Sequence, residues 1–313
     1  MNNPLWQDKP YYSLDAYLKN TKQHKCYKIA IDAGMTCPNR DGLIDTRGCI
    51  FCSAGGSGDF AVSGHSISEQ IEKGLATFGD KKVGNDFIAY FQAYTNTNAP
   101  VSRLEKLFTE ALEHPLICGI SIATRPDCLG EEVLSLLSRL KDAYPDKFIW
   151  VELGLQTMHE TTAKYIRRGY PLSVFESAIS NLSSLDIPCV THVILGLPGE
   201  TLEDMLATIH HLNRLPVWGI KLQLLHVLKG TDLAVDYEAG TFQALEKQEY
   251  LDILISCIEH LRPDIVLHRV TGDGPKDLTI APLWSMNKRD VLNSLHKQMK
   301  TQNSYQGRLF HVT

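Results

Sequence analysis

Short apolar runs alternate with helix-like stretches along nearly the whole chain, and this alternation constrains the fold more than any other feature. The runs fall at 26–33, 87–94, 118–123, 148–155, 189–195, 219–228 and 264–270. They are rich in Val, Ile, Leu and Phe, as strands buried on both faces are. Between them, Ser66, Ser102, Thr157, Ser173 and Thr201 each stand three residues before an acidic side chain, a pattern that starts helices. Leu104, Leu107, Phe108, Ala111 and Leu112 form one apolar stripe at helical spacing, and Val133, Leu134, Leu137 and Leu140 form another. Such stripes are core faces that pack on a sheet. Strands joined by helical crossovers lie parallel. The expected class is therefore α/β: a partial or full parallel β/α (TIM-like) barrel of six to seven βα units with a C-terminal extension. A doubly wound open sheet is the alternative. The segments are expected at 1–25 (N-terminal extension), 26–270 (barrel) and 271–313 (closing loop and helix). Within the last, 271–287 reads as an irregular loop, a helix runs from Lys288 to about Lys300, and the final dozen residues read as a mobile polar tail.

With 313 residues, 43% of them hydrophobic, the chain can bury one large core. No apolar stretch reaches about 18 residues, and Met1-Asn2-Asn3-Pro4 lacks a basic region followed by an apolar run. A cytoplasmic protein with no membrane partner is expected. A net charge of −5 argues against a broadly basic surface but leaves room for a local phosphate-binding patch. Lys19, Lys22, Lys25 and Lys28, and Lys288, Arg289, Lys297 and Lys300, are candidates for one, with solvated faces as the alternative.

Eight cysteines in a reducing compartment are not expected to pair as disulfides. Five are scattered; of these Cys118 and Cys189 open strand-like runs and read as small buried hydrophobes. The other three, Cys37, Cys49 and Cys52, share one long loop after the first strand, where β/α proteins place reactive groups. Three thiolates are too few for a structural zinc site, and neither His65 nor Cys26 completes a usual zinc spacing. An iron–sulfur cluster usually takes four Cys; three leave one iron open to a ligand that is not protein. Spacing alone leaves iron–sulfur, zinc and inert thiols all open.

The segment Cys37-Pro-Asn-Arg-Asp-Gly…Gly-Cys49-Ile-Phe-Cys52 resembles the cluster loop of the radical S-adenosylmethionine (SAM) superfamily. Its long first spacing resembles the YhcC/YtqA-type branch, which is related to the Elongator catalytic subunit and to oxygen-independent coproporphyrinogen oxidase. The resemblance covers about residues 10–300. It implies a [4Fe–4S] cluster on Cys37, Cys49 and Cys52, and SAM on the open iron. Gln92, Thr95 and Asn96 stand where the superfamily holds the methionine amine, although the usual glycines are absent. Thr124-Arg125-Pro126-Asp127 resembles the Elongator-type run at the third strand end. Gln156 and Arg168 resemble a SAM-contacting pair, the Arg as a planar fork for the methionine carboxylate. Singly, Gln156 could cap a strand and Arg168 could be a solvated helix charge, as Arg167 is expected to be. His192 and Gly196-Leu197-Pro198-Gly199-Glu200 resemble the run beneath the adenine.

Toward the C-terminus, Lys221, His226, His268, Arg269 and Asp273 are the catalytic candidates, with Gln223 and Lys276 beside them. They could bind an anionic or amino-acid-like group; a structural ion-pair network is the alternative. Kinship to the Elongator subunit implies tRNA as substrate and partner, in particular the C5 side chain of a wobble uridine such as carboxymethylaminomethyl. It also implies an external electron donor such as flavodoxin or ferredoxin. The alternatives are a radical SAM oxidoreductase on a small metabolite, a metal-binding accessory protein that does not cleave SAM, and a redox sensor.

Overall fold

In the computed structural model, which describes residues 3–56, 58–79, 84 and 86–311, each expected run holds a strand. Met1, Asn2, Val312 and Thr313 at the ends of the two expected extensions lie outside the described residues. The strands are β1 (Tyr27–Ile31), β2 (Phe87–Phe91), β3 (Ile117–Thr124), β4 (Phe148–Gln156), β5 (Cys189–Leu195), β6 (Gly219–Leu224), β7 (Val227–Leu228), β8 (Val266–Arg269) and β9 (Thr279–Ala281). Run 219–228 breaks at Leu225 and His226 into β6 and β7. Seven strands form one parallel sheet in the order β1-β2-β3-β4-β5-β6-β8, a curled half-barrel with β1 and β8 as its edges. The partial barrel is thus the form adopted. Backbone outside the sheet covers both edges: Val62 bridges to β1, and the Leu267 N–H of β8 donates to Tyr12 O (2.7 Å).

The helices are α1 (Leu14–Lys22), α2 (Ile67–Ala76), α3 (Val101–Glu113), α4 (Glu131–Ala143), α5 (Glu160–Tyr165), α6 (Leu172–Ser184), α7 (Leu202–Asn213), α8 (Asp232–Glu238), α9 (Lys247–His260) and α10 (Lys288–Thr301). Leu104, Phe108 and Leu112 of the stripe on α3 are fully buried, with Phe108 edge-on to Phe91 of β2 at 5.0 Å. The concave face is filled at one end only. Ile88, Trp150 and Val190, near the strand N-termini, pack with Leu18 of α1, and Tyr17 meets Trp218 at 5.0 Å. Helix α1 therefore plugs the bottom of the half-barrel and leaves the strand C-termini as the open mouth. Among the described residues no helix is long and apolar enough to cross a membrane.

Two of the five expected caps form: Ser66 accepts from Glu69 N (3.1 Å), and Thr201 and Asp204 make a reciprocal capping box. The other three helices start elsewhere. Pro100 and Pro171 precede α3 and α6, so Ser102 and Ser173 already lie inside the first turn. Thr157 instead accepts from His159 N (3.1 Å), a local turn that competes with the helical cap.

The C-terminal region is more ordered than expected. The loop 271–287 contains β9, antiparallel to β7, and a short 3-10 helix (Leu283–Met286). The tail is pinned through buried Gln306, whose amide donates to Arg262 O (2.8 Å) and Ile265 O (2.9 Å) and accepts from Tyr12 N (2.9 Å). Polar composition reads as mobility until its hydrogen-bond partners are known. Gln306→Ala should cost about 2 kcal/mol, because three backbone groups lose their partner together. Urea unfolding should show a lower midpoint at unchanged slope. An unchanged midpoint would mean that this amide does not fasten the tail.

Candidate active site

A cavity of about 300 Å³ opens at the C-terminal ends of the strands, at the lower end of the range for preformed small-molecule sites. Cys37, Cys49 and Cys52 line one wall as free thiols. Their loop is shaped by its own residues. Cys37 O accepts from the backbone of Arg40 (2.7 Å) and Asp41 (3.0 Å), and Cys49 O accepts from Cys52 N (3.0 Å). The Arg40 guanidinium reaches Cys52 O (2.9 Å) and Ser53 O (2.6 Å). Gly48 permits this crossing: its φ is +80°, and a Cβ there would lie 2.9 Å from Arg40 Nε. Asn39 Nδ2 donates to Cys49 Sγ (3.3 Å) and Arg167 O (2.7 Å).

Burial pushes the Cys49 thiol up and the Cys52 thiol up to about 12, with the neighbouring sulfurs adding to both and Arg40 opposing. A cationic centre would have to draw off those protons. Cys37, Cys49 and Cys52, with no fourth cysteine among the cavity-lining residues, do not make the closed four-ligand set of a structural zinc site. The donor set fits a cluster better than a single ion.

The other strand ends divide into groups that face the cavity and groups that do not. Gln92, Thr95, Thr124, Gln156, Arg168 and His192 line it. Asn96 is buried away from it, its amide tying Phe91 O (3.0 Å) to Ala123 O (2.9 Å). Gly196 lies off the cavity and makes room for Leu245, which a Cβ would approach to 2.6 Å. The Arg168 guanidinium is not a free fork. It is spent on Tyr170 O (3.0 Å), Thr157 O (2.7 Å), Leu155 O (3.3 Å) and Glu160 (3.2 Å). Arg125 is likewise committed to Asp127 and to Arg168 O, and both guanidinium groups lie about 5 Å over the Tyr170 ring. Arg167, expected to be solvated, pairs with Asp232 (2.5 Å). Gln156 is the opposite case. It adopts φ +65°, a strained conformation for a non-glycine residue, and its buried Oε1 has no partner. Its side chain lies over Gly154, where a Cβ would come within 2.9 Å of Nε2.

The cavity floor holds a network that the sequence reading missed. Glu152, fully buried on β4, accepts from Lys28 Nζ (2.8 Å), Ser121 Oγ (2.6 Å), His192 Nε2 (2.8 Å) and Lys221 Nζ. Lys221 also donates to the Tyr90 hydroxyl (3.0 Å). Burial alone would raise the Glu152 carboxyl, but Lys221, Lys28 and His192 hold it well below its usual value. Burial pushes Lys221 down to about 7, against the attraction of Glu152. Burial and the Lys221 charge push His192 down to about 4, so it is neutral at pH 7. The available signal was a charge inside an apolar strand, Glu152 within 148–156 and Lys28 within 27–31. Lys28 thus belongs to the interior and not to a surface phosphate patch. Lys19 is paired with Asp15 (2.8 Å) on α1, at the far end from the mouth.

Of the C-terminal candidates, Lys221, His226, Arg269 and Asp273 line the cavity. His226 contacts Ser285 Oγ (3.0 Å) and Leu224 O (3.1 Å). Asp273 holds Lys288 (2.8 Å) at the rim. His268 is not in the site: it packs edge-on to Trp150 and Trp218 in the bottom plug, with both ring nitrogens buried and unpartnered. A register shift explains this. Ile220 pairs with Leu267 and Lys221 with Arg269, so His268 is skipped and Arg269 turns to the cavity.

A model of the radical SAM superfamily matches residues 46–212, and one of a Radical_SAM C-terminal domain matches 217–301. The chain is 41% identical over 313 residues to YtqA of Bacillus subtilis, covering 99% of this chain and 96% of that protein. It is 35% identical over 264 residues to YhcC of Escherichia coli, covering 84% of each. A tRNA uridine(34) acetyltransferase of Methanocaldococcus jannaschii is 24% identical over 187 residues, 58% of this chain and 33% of that protein. The solved structure of an archaeal Elp3, from Methanocaldococcus infernus, shares the fold, with a TM-score of 0.66 at 15% identity over 90% of this chain and 64% of that one.

Proposed function

Because this chain belongs to the radical SAM superfamily, in the branch of YtqA and YhcC, we propose that its thiol-lined cavity holds SAM for attack on the C5 side chain of a wobble uridine in tRNA. The family's cofactors are a [4Fe–4S] cluster and SAM, and its members are radical SAM enzymes. When bound, these supply a 5′-deoxyadenosyl radical that abstracts hydrogen from a substrate C–H bond. The observation that carries the reading is the cysteine wall: three free thiols from one loop line the cavity.

In this reading Cys37, Cys49 and Cys52 are the cluster ligands, and the Asn39 amide hydrogen bond stabilises Cys49 as thiolate. Gln156 offers its unpartnered Oε1 to an N–H of SAM. Gln92 and Thr95 flank it on the β2 side. Neutral His192 adds no positive charge beside a sulfonium ligand. Arg125 and Arg168 act one step back, fixing the Tyr170 ring and the β4 end against which the ligand packs. Kinship to the tRNA-uridine relative supports tRNA.

Gln156→Gly separates structure from binding. It relieves a left-handed φ, so stability should hold or rise by up to about 1 kcal/mol. SAM affinity should fall about tenfold with the loss of one well-placed acceptor. Equilibrium dialysis with SAM, paired with thermal unfolding, checks both; unchanged affinity would remove Gln156 from the SAM site.

To test the substrate, tRNA from cells lacking this protein is incubated with reduced holoenzyme and SAM, digested, and its nucleosides are weighed by mass spectrometry. A mass change confined to a wobble uridine, with binding that weakens steeply in salt, is expected. Unchanged nucleosides alongside active SAM cleavage would favour a small-metabolite substrate instead.

A further inference from the structure

Cations outnumber carboxylates at the floor of the cavity. Two cations, Lys28 and Lys221, share one buried carboxylate, Glu152, and Arg269 beside Lys221 has only Asp273, which is already paired with Lys288 at 2.8 Å. Neither half-buried His192 nor His226 supplies negative charge. Cations held in a partly dry site attract an anion strongly.

The four guanidinium groups that line the cavity are not equivalent. Arg125 and Arg168 are spent on carbonyls and carboxylates, and Arg40 holds the cysteine loop. The Arg269 guanidinium makes no hydrogen bond among the described residues; its one ion-pair partner is Asp273 at 3.6 Å, too long for a good bond. The bulge that skips His268 sets Arg269 directly beside Lys221 on the neighbouring strand. A planar fork with open donors, next to a buried ammonium, matches a carboxylate.

We propose that Arg269, with Lys221 beside it, is the receptor for a carboxylate on the substrate and so sets specificity for a carboxylate-bearing side chain. The assignment to a uridine side chain rests on the function proposed above; the carboxylate subsite itself rests on the floor. Asp273 is the positioning residue: it holds Arg269 loosely and yields it when a closer carboxylate arrives.

The test uses reconstituted holoenzyme with SAM and two synthetic anticodon stem-loops. They differ only at the wobble uridine, one bearing carboxymethylaminomethyl and the other methylaminomethyl. Wild type should bind the carboxylate form about 10- to 100-fold more tightly. Arg269→Gln should abolish that preference, and Arg269→Lys should restore part of it. Because the SAM carboxylate could compete for the same residue, 5′-deoxyadenosine formation without RNA and SAM affinity are measured in each variant. These two readouts show whether a substitution at Arg269 also reaches the SAM site. A preference that survives in Arg269→Gln overturns the proposal, as does a large loss of SAM affinity, which would make Arg269 a SAM ligand. A second arm offers N-benzylglycine and benzylmethylamine to the same proteins. Should neither RNA bind while wild type, and not Arg269→Gln, prefers N-benzylglycine, the subsite stands and the RNA reading falls. Equal binding within both pairs overturns the subsite.

Discussion

Alanine at Cys37, Cys49 or Cys52 should abolish cluster assembly, whereas Cys257→Ala should load iron as wild type does. The three thiols share one cavity wall, and a cluster missing one of three protein ligands has no remaining cysteine there to replace it. Cys257 is fully buried in the main core on α9, distant in role from the mouth. Its truncation removes one sulfur from packing and should cost roughly 1–2 kcal/mol. Iron per chain after anaerobic reconstitution, with the visible absorption of the cluster, reads the difference. Equal iron in all four variants would sink the ligand assignment.

Glu152→Gln should be the most destabilising single change in the site, by about 3–5 kcal/mol, because it leaves Lys28 and Lys221 as buried or half-buried cations without their shared anion. The pH dependence separates this from a simple packing defect. The Glu152 carboxyl is held well below its usual 4.5 in the fold, so the unfolded chain takes up its proton first. Its stabilisation is therefore complete above about pH 4.5 and declines as pH falls from there through the folded value. Urea midpoints at pH 7 and across pH 5 to 3 should show the gap between wild type and Glu152→Gln narrowing with acid. A gap that stays constant would mean that charge is not what Glu152 contributes. Losing SAM cleavage through misplacement of Lys221 and His192 is the expected functional consequence.

The strands were legible because their hydrophobic periodicity is a local property, and the cysteine loop because ligand spacing is also local. Gln156 could be placed at a strand end from the run Gly154-Leu155-Gln156, whereas its left-handed φ and unpartnered oxygen could not be read there. What stayed hidden depends on partners distant in sequence. Arg168 looks like a ligand fork until Tyr170, Thr157 and Glu160 are seen to occupy it. Glu152 shows in sequence only as a charge inside an apolar strand, and its partners Lys28 and Lys221 lie 124 and 69 residues away. His268 and Arg269 are adjacent, and only the register shift between β6 and β8 decides which one faces the cavity. Gln306 reads as part of a loose tail because nothing near it reveals Tyr12, Arg262 and Ile265.

One measurement tests the central claim most directly. The protein is reconstituted anaerobically with iron and sulfide, reduced with dithionite and given SAM, and 5′-deoxyadenosine is sought by mass spectrometry with and without tRNA. The account predicts that it forms, and that it disappears in Cys52→Ala. Binding of zinc alone, or a fully loaded protein that makes no 5′-deoxyadenosine under either condition, would contradict it.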